Sequence, residues 1–142
     1  MKLNNLKKLS GDASFRKFYR KKNINKSSII IFCSKEKKIN LLIYDAINKL
    51  FNSCKVKAPR LIKQNYKKGF IEIEDFGDQT VFKKLNNLNY NKLFYFKKIL
   101  RLLSKIQKIK IKKVKTFLGT NYKIPVYSKK KLINESNLFV EW

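Results

Sequence analysis

Ser28 to Cys33 reads Ser-Ile-Ile-Ile-Phe-Cys, a run with no polar residue at alternate positions after its first, so neither side of it can face water. A short continuous apolar segment rich in β-branched residues predicts a strand buried on both faces. Such a strand needs neighbours along both edges and cover on both sides. One neighbour comes just before it. Ser10 to Arg20, SGDASFRKFYR, places a small-residue turn between apolar Leu9 and Phe15, followed by the strand-like aromatic run of Phe15, Phe18 and Tyr19. This predicts a hairpin, with Lys21 to Lys26 as a polar turn into the buried strand. Cover comes just after it. Beyond the charged connection Lys35 to Asn40, Leu42, Ile43, Ala46, Ile47, Leu50, Phe51 and Cys54 recur at three- and four-residue spacing. They mark one apolar face of a helix with Asn40 as its N-cap and an end near Ser53 or Cys54.

Further along, Pro59 constrains Val56 to Ile62 to an extended path. Leu61-Ile62, a turn over Asn65 to Gly69, and Phe70-Ile71-Glu72-Ile73-Glu74 predict two more strands. Alternation in the last puts Phe70, Glu72 and Glu74 on one face and Ile71 and Ile73 on the other, and the shared carboxylate face predicts exposure to solvent. Asp75-Phe76-Gly77-Asp78 is a polar break before Thr80 to Leu85. A long amphipathic helix is predicted from Asn89 to Gln107, its seam formed by Leu93, Phe96, Leu100, Leu103 and Gln107. Lys108 to Lys115 reads as a charged connector, and Tyr122 to Tyr127 as extended around Pro125. Ser128 is the N-cap of a last helix with Leu132, Glu135, Phe139 and Trp142 on one face. Its apolar seam reaches the end of the sequence without a capping glycine, which predicts that the natural domain continues or that a second chain covers Phe139 and Trp142.

The 142 residues suffice for one domain, or a domain with part of another. A formal charge of +26 points first to a polyanion partner. The basic residues, however, are 31 Lys against only 4 Arg, and Lys, Asn and Ile together fill 62 of the 142 positions. Those are the residues of AT-rich codons, and a chain selected to read nucleic acid would favour the planar fork of arginine. A solvated lysine surface is the reading preferred here, and nucleic acid is not the expected partner. There is no histidine, which excludes the usual zinc ligand sets and any mechanism needing a histidine within this chain. Cys33 and Cys54 lack a CxxC spacing and fit buried thiols in a reducing compartment. No signal-peptide core or membrane-length apolar window occurs, so a cytoplasmic location with no membrane partner is expected.

The turn at Ser10 to Ser14 has two readings. Gly11 permits a positive φ, Ser10 and Ser14 bring hydroxyls, and several backbone N–H groups can converge, as in an anion-cradling loop. A plain β-turn needs no more than these same residues.

The order hairpin, strand, helix, two strands, connector and long helix is that of a protein-kinase-like N-terminal lobe, an α+β unit with a five-stranded antiparallel sheet and one helix. SGDASFRKFYR, then APRLI, then GFIEIEDFGD, then YSKKKLINESNLFVEW resemble the aminoglycoside phosphotransferase (phosphotransferase enzyme) family. Within it, the resemblance is strongest to the anomeric N-acetylmuramate/N-acetylglucosamine kinases of cell-wall recycling. It runs from Leu9 to Trp142 and implies a lobe over residues 1–87, with 88–142 as the following helix, linker and start of an incomplete C-terminal lobe. It implies ATP as cofactor and an amino sugar as substrate of the complete protein. Ser10, Gly11, Asp12, Ala13, Ser14, Phe15 and Arg16 would cover the phosphates, and Ile73, Glu74, Asp75 and Phe76 would form the hinge against the adenine edge.

Asp75-Phe76-Gly77 spells a kinase magnesium motif, but it follows the fifth strand directly and is read as hinge. The sequence departs from kinase-like folds at the third strand, where Ile30, Ile31, Phe32 and Cys33 stand in place of a phosphate-binding lysine. Arg16 or Lys17 could supply that charge, or simply sit on a solvated strand face. Asp45, the acidic residue within the first helix, is expected to face water. The family's His-x-Asp…Asn catalytic loop and its magnesium ligands belong to the C-terminal lobe, so no catalytic or metal residue is assigned here and this chain alone is expected to be inactive. The alternative from another class is a basic RNA- or polyanion-binding module, or a non-catalytic relic.

Overall fold

A computed structural model describes residues 6–9, 16–22, 26–34, 37–86, 91–126 and 128–137. The predicted loop residues Ser10 to Phe15, and Phe139 and Trp142, lie outside them. The described residues form an α+β structure with a five-stranded antiparallel sheet and four helices. The sheet is built from β1 (Leu6–Lys8), β2 (Arg16–Lys22), β3 (Ser27–Cys33), β4 (Leu61–Asn65) and β5 (Phe70–Glu74), in the order β1-β2-β3-β5-β4. The apolar strand β3 is central, with β2 on one side and β5 on the other. Ile30 and Ile31, which point to opposite faces, are both fully buried, as a two-faced strand requires.

On one face, Ile29, Ile31 and Cys33 of β3 and Ile71 and Ile73 of β5 meet Leu41 of helix α1 (Ile39–Ser53), with Phe18 and Leu61 packed at the margin. The other face carries an aromatic row, in which Tyr19 and Phe70 flank Phe32 at centroid distances of 5.6 and 5.4 Å. The turn between β4 and β5 closes on Gly69, which has φ +70 and donates from its N–H to the Tyr66 carbonyl. A Cβ there would lie 2.7 Å from the Cys33 carbonyl oxygen, so the close approach of this turn to the end of β3 depends on glycine.

Several expectations need correction. Asn40 is not the N-cap of α1. It lies in the first turn, its side chain donating to the Lys37 carbonyl, and the cap position falls on Lys38 without a capping side chain. The buried face of α1 is Leu41, Leu42, Asp45, Ala46 and Leu50, rotated from the apolar pattern because Asp45 turns inward. That carboxylate does not face water; its side chain is 2% exposed and pairs with Lys49 Nζ at 2.7 Å. Nor is the Glu72 and Glu74 face of β5 open to solvent, because Glu72 is buried and Glu74 half-buried. Cys33 is a buried thiol, whereas Cys54 is only partly covered.

Beyond the sheet, α2 (Val81–Leu85) is capped by Thr80 and α3 (Lys92–Gln107) by Asn91, whose Oδ1 accepts from Phe94 N–H. The start of α3 is later than the pattern predicts. The supposed connector contains β6 (Lys113–Lys115), which pairs with β7 (Asn121–Lys123) in a second, two-stranded sheet. Alternating Lys and Val gives this strand one half-buried side chain, Val114, too short a signal to separate from a connector. The hairpin packs against α1, and Phe117 at its turn reaches the main core and the ring of Tyr66. Ser128 caps α4 (Lys129–Asn137) as expected, through Lys131 N–H. Among the described residues, no helix is long and apolar enough to cross a membrane.

Candidate functional site

Strand β2 organises the site through its alternation. Arg16, Phe18 and Arg20 lie on the face that carries α1, and Lys17, Tyr19 and Lys21 on the other. Phe18 joins the core, so the two arginines are held at opposite ends of one strand face. Leu9 N–H donates to the Phe18 carbonyl at 2.9 Å, extending the pairing of β1 with β2 by one residue.

Arg16 stands opposite Cys33, at the end of the central strand. Its guanidinium lies 5.9 Å from the Phe18 ring centre and 5.5 Å from that of Tyr44 on α1, so stacking on aromatic faces fixes it between sheet and helix. Burial pushes the Tyr44 hydroxyl and the Cys33 thiol above their usual values, and the nearby Arg16 charge opposes both shifts. Lys17 is exposed on the opposite face. Of the two residues proposed to replace the third-strand lysine, only Arg16 is on the helix side of the sheet.

The residues expected to form a hinge, Ile73 to Phe76, lie toward the other end of β3. Ile73 is buried in the core, which leaves only its backbone for any ligand. The Glu74 carboxylate accepts from Arg60 N–H at 3.0 Å, and Glu74 N–H donates to the Arg60 carbonyl. Asp75 is buried and held by charge and hydrogen bonds. Its side chain is 3% exposed, pairs with Arg20 Nε at 2.6 Å and accepts from Gly77 N–H at 2.8 Å. Burial alone would raise the Asp75 pKa, but hydrogen bonds from Ser27, Arg20 and Gly77 together with the Arg20 charge hold it below the usual range. Phe76 is half-exposed, with Lys57 Nζ 5.1 Å from its ring centre.

Glu72, expected from the alternation of β5 to face solvent, is the second buried carboxylate of this end. Ser28 Oγ donates to it at 2.6 Å and Lys21 Nζ at 3.2 Å. Burial pushes its pKa up, and the Ser28 hydroxyl and Lys21 ammonium outweigh that and bring it below the ordinary glutamate value. Ser28, Lys57, Ile62, Glu72, Glu74 and Phe76 line an open cavity of ≈ 640 Å³ beside the Asp75-Phe76 break. The structure thus places Glu74, Asp75 and Phe76 together, and Arg16 at the far end of β3, roughly 20 Å away at ordinary strand rise. Arg20 was missed. Its signal is positional, since i, i+2 and i+4 alternation from Arg16 through Phe18 turns it inward, toward an aspartate-rich break.

Among the described residues, no group of three or more His, Cys, Asp or Glu could hold a metal ion. No protein-family model matches the chain. It is 29% identical over 133 residues to a protein of Pseudomonas putida named N-acetylmuramate/N-acetylglucosamine kinase. The match covers 94% of this chain but 36% of that protein, so the chain spans about a third of its relative's length. This similarity supports a distant, kinase-like relationship.

Proposed function

We propose that this chain is the nucleotide-side portion of an ATP-dependent phosphotransferase, a sugar kinase that passes the γ-phosphoryl group of ATP to the anomeric hydroxyl of an N-acetylated amino sugar. The carrying observation is that Arg16, directly after Phe15 in the sequence, and Asp75, after β5 and paired with Arg20, stand at the two ends of the sheet face on which α1 packs. The two ends stand about a strand length apart, and the cavity of ≈ 640 Å³ opens beside the Asp75-Phe76 end. The similarity to the Pseudomonas putida kinase supports the same assignment.

On this reading the backbone of residues 73–76 meets the adenine edge, and the small residues Ser10 to Ser14 cover the phosphates with their N–H groups. Arg16, on β2 opposite the end of β3, supplies the phosphate-neutralising charge that a third-strand lysine supplies elsewhere. Magnesium, when bound, neutralises the charge developing on the phosphates. The Asp75 carboxylate does not fit a magnesium ligand, since Arg20 and Gly77 already occupy it. The metal ligands and the catalytic base belong to a C-terminal lobe, which also covers the apolar seam of α3. The complete protein works in the cytoplasm, on ATP and an amino sugar.

The test is ATP-dependent phosphorylation of N-acetylglucosamine and N-acetylmuramate, by this chain alone and by the polypeptide extended with the coding sequence that follows. Turnover only in the extended protein is expected. The proposal fails if no His-x-Asp…Asn segment is encoded within about 100 residues downstream, the reach of kinase-type spacing.

A further inference from the structure

We infer that Arg20 is a positioning residue that fixes the segment after β5, and hence the backbone edge proposed above to meet the nucleotide; the inference rests on that reading for its functional half only. Arg20 leaves β2 on the same face as Phe18, and its side chain is 13% exposed. Its fork is divided between two carboxylates. Nε lies 2.6 Å from Asp75 Oδ2 and the second terminal nitrogen donates to Asp75 Oδ1 at 3.1 Å. The first terminal nitrogen donates to both oxygens of Asp78, at 2.8 and 2.7 Å. One planar cation therefore holds two points of the chain three residues apart, which a lysine, with a single compact ammonium, cannot do in this geometry.

The loop between those points is shaped to match. Gly77 has φ +76 and returns its N–H to Asp75 Oδ1, so Asp75, Gly77 and Asp78 close around the guanidinium while Phe76 projects outward beside Lys57. Both aspartates are held below their usual pKa. For Asp78 the main cause is the hydrogen bond from Arg20; for Asp75, Ser27, Arg20 and Gly77 overcome a burial effect of opposite sign. The strand that leads from the proposed phosphate loop thus also anchors the proposed hinge. The clamp also assigns Asp75-Phe76-Gly77 a structural role in place of the metal-binding one its spelling suggests.

The experiment compares the full chain with Arg20→Lys and Asp78→Asn, following amide hydrogen exchange of Gly77 and, as a core reference, of Ile31. Asp78 is largely exposed, so Asp78→Asn tests the clamp without threatening the fold. Exchange at Gly77 should rise by about tenfold or more in both variants while Ile31 stays protected, because only a local opening has become easier. Unchanged Gly77 exchange, or a rise shared equally with Ile31, overturns the clamp. Addition of ATP then separates the two halves of the inference. Shifts of the residue 74–77 amides in the wild type, weakened in Arg20→Lys, support the positioning role. A protected Gly77 with no response to ATP in the wild type overturns the nucleotide role and leaves a purely structural clamp.

Discussion

Glu72 is the residue whose surroundings say most about how this sheet tolerates charge. A carboxylate 6% exposed in the middle of a strand costs stability unless it is fully bonded, and here Ser28 and Lys21 supply those bonds. Ser28→Ala should lower stability by about 1–3 kcal/mol at neutral pH, the usual range for stranding a buried acceptor. Glu72 titrates below its unfolded value, so its contribution is present above about pH 4.3 and is lost as pH falls through the depressed folded value. The difference between Ser28→Ala and wild type should therefore shrink on going from pH 7 to pH 3. Urea midpoints at the two pH values measure this, and equal midpoints at pH 7 would refute the assigned bond. Alternation along β5 correctly put Glu72 on the side away from Ile71 and Ile73. It could not reveal that this second side is also covered, because Ser28 and Lys21 come from strands more than forty residues earlier.

At the scale of elements, α1 shows where a pattern and a fold part company. Apolar spacing placed Ile43, Ile47 and Phe51 on the inner face, yet these are half-buried, and Leu41, absent from that pattern, is fully buried against Ile31 and Ile71. Leu41→Ala should cost about 2–5 kcal/mol, as for a closed core site, and Ile43→Ala distinctly less. Denaturant titration of both variants decides the matter; a larger loss at Ile43 would mean the helix is rotated. The central strand, the β4–β5 turn and the long helix were legible because each carries its signal within a few residues. The inward tilt of α1 was not, since it depends on the Asp45–Lys49 pair and on what packs outside the helix. The same holds for β6 and β7, whose three-residue strands are too short to show a period. At the site, the polar break after β5 was readable from its composition, whereas the pairing of Arg20 with Asp75 and Asp78 required knowing that β2 and β5 flank the same strand.

Over the whole molecule, charge and apolar exposure are distributed unevenly. The α3 seam is open, with Leu93 60% and Leu100 65% exposed, while the sheet-side core is closed. The net charge of +26 gives a direct test between the kinase reading and a polyanion-binding module. Binding to single-stranded RNA should fall steeply with added salt and vanish near ~150 mM if the lysines form only a diffuse cationic shell. Filter binding across a salt series measures this, and retained affinity at that salt would favour the RNA reading.

Phe117 has a further consequence for how the chain can be divided. Because its ring and the hairpin around it rest on α1 and the main core, residues far beyond the Asp75–Asp78 break form part of the outer wall of the sheet-and-helix unit that precedes it. A fragment cut after α2 would expose one flank of its only long helix, and the helix would be free to rock against the sheet. In the uncut chain that helix is wedged from two sides, and acts as a fixed strut instead of a swinging arm.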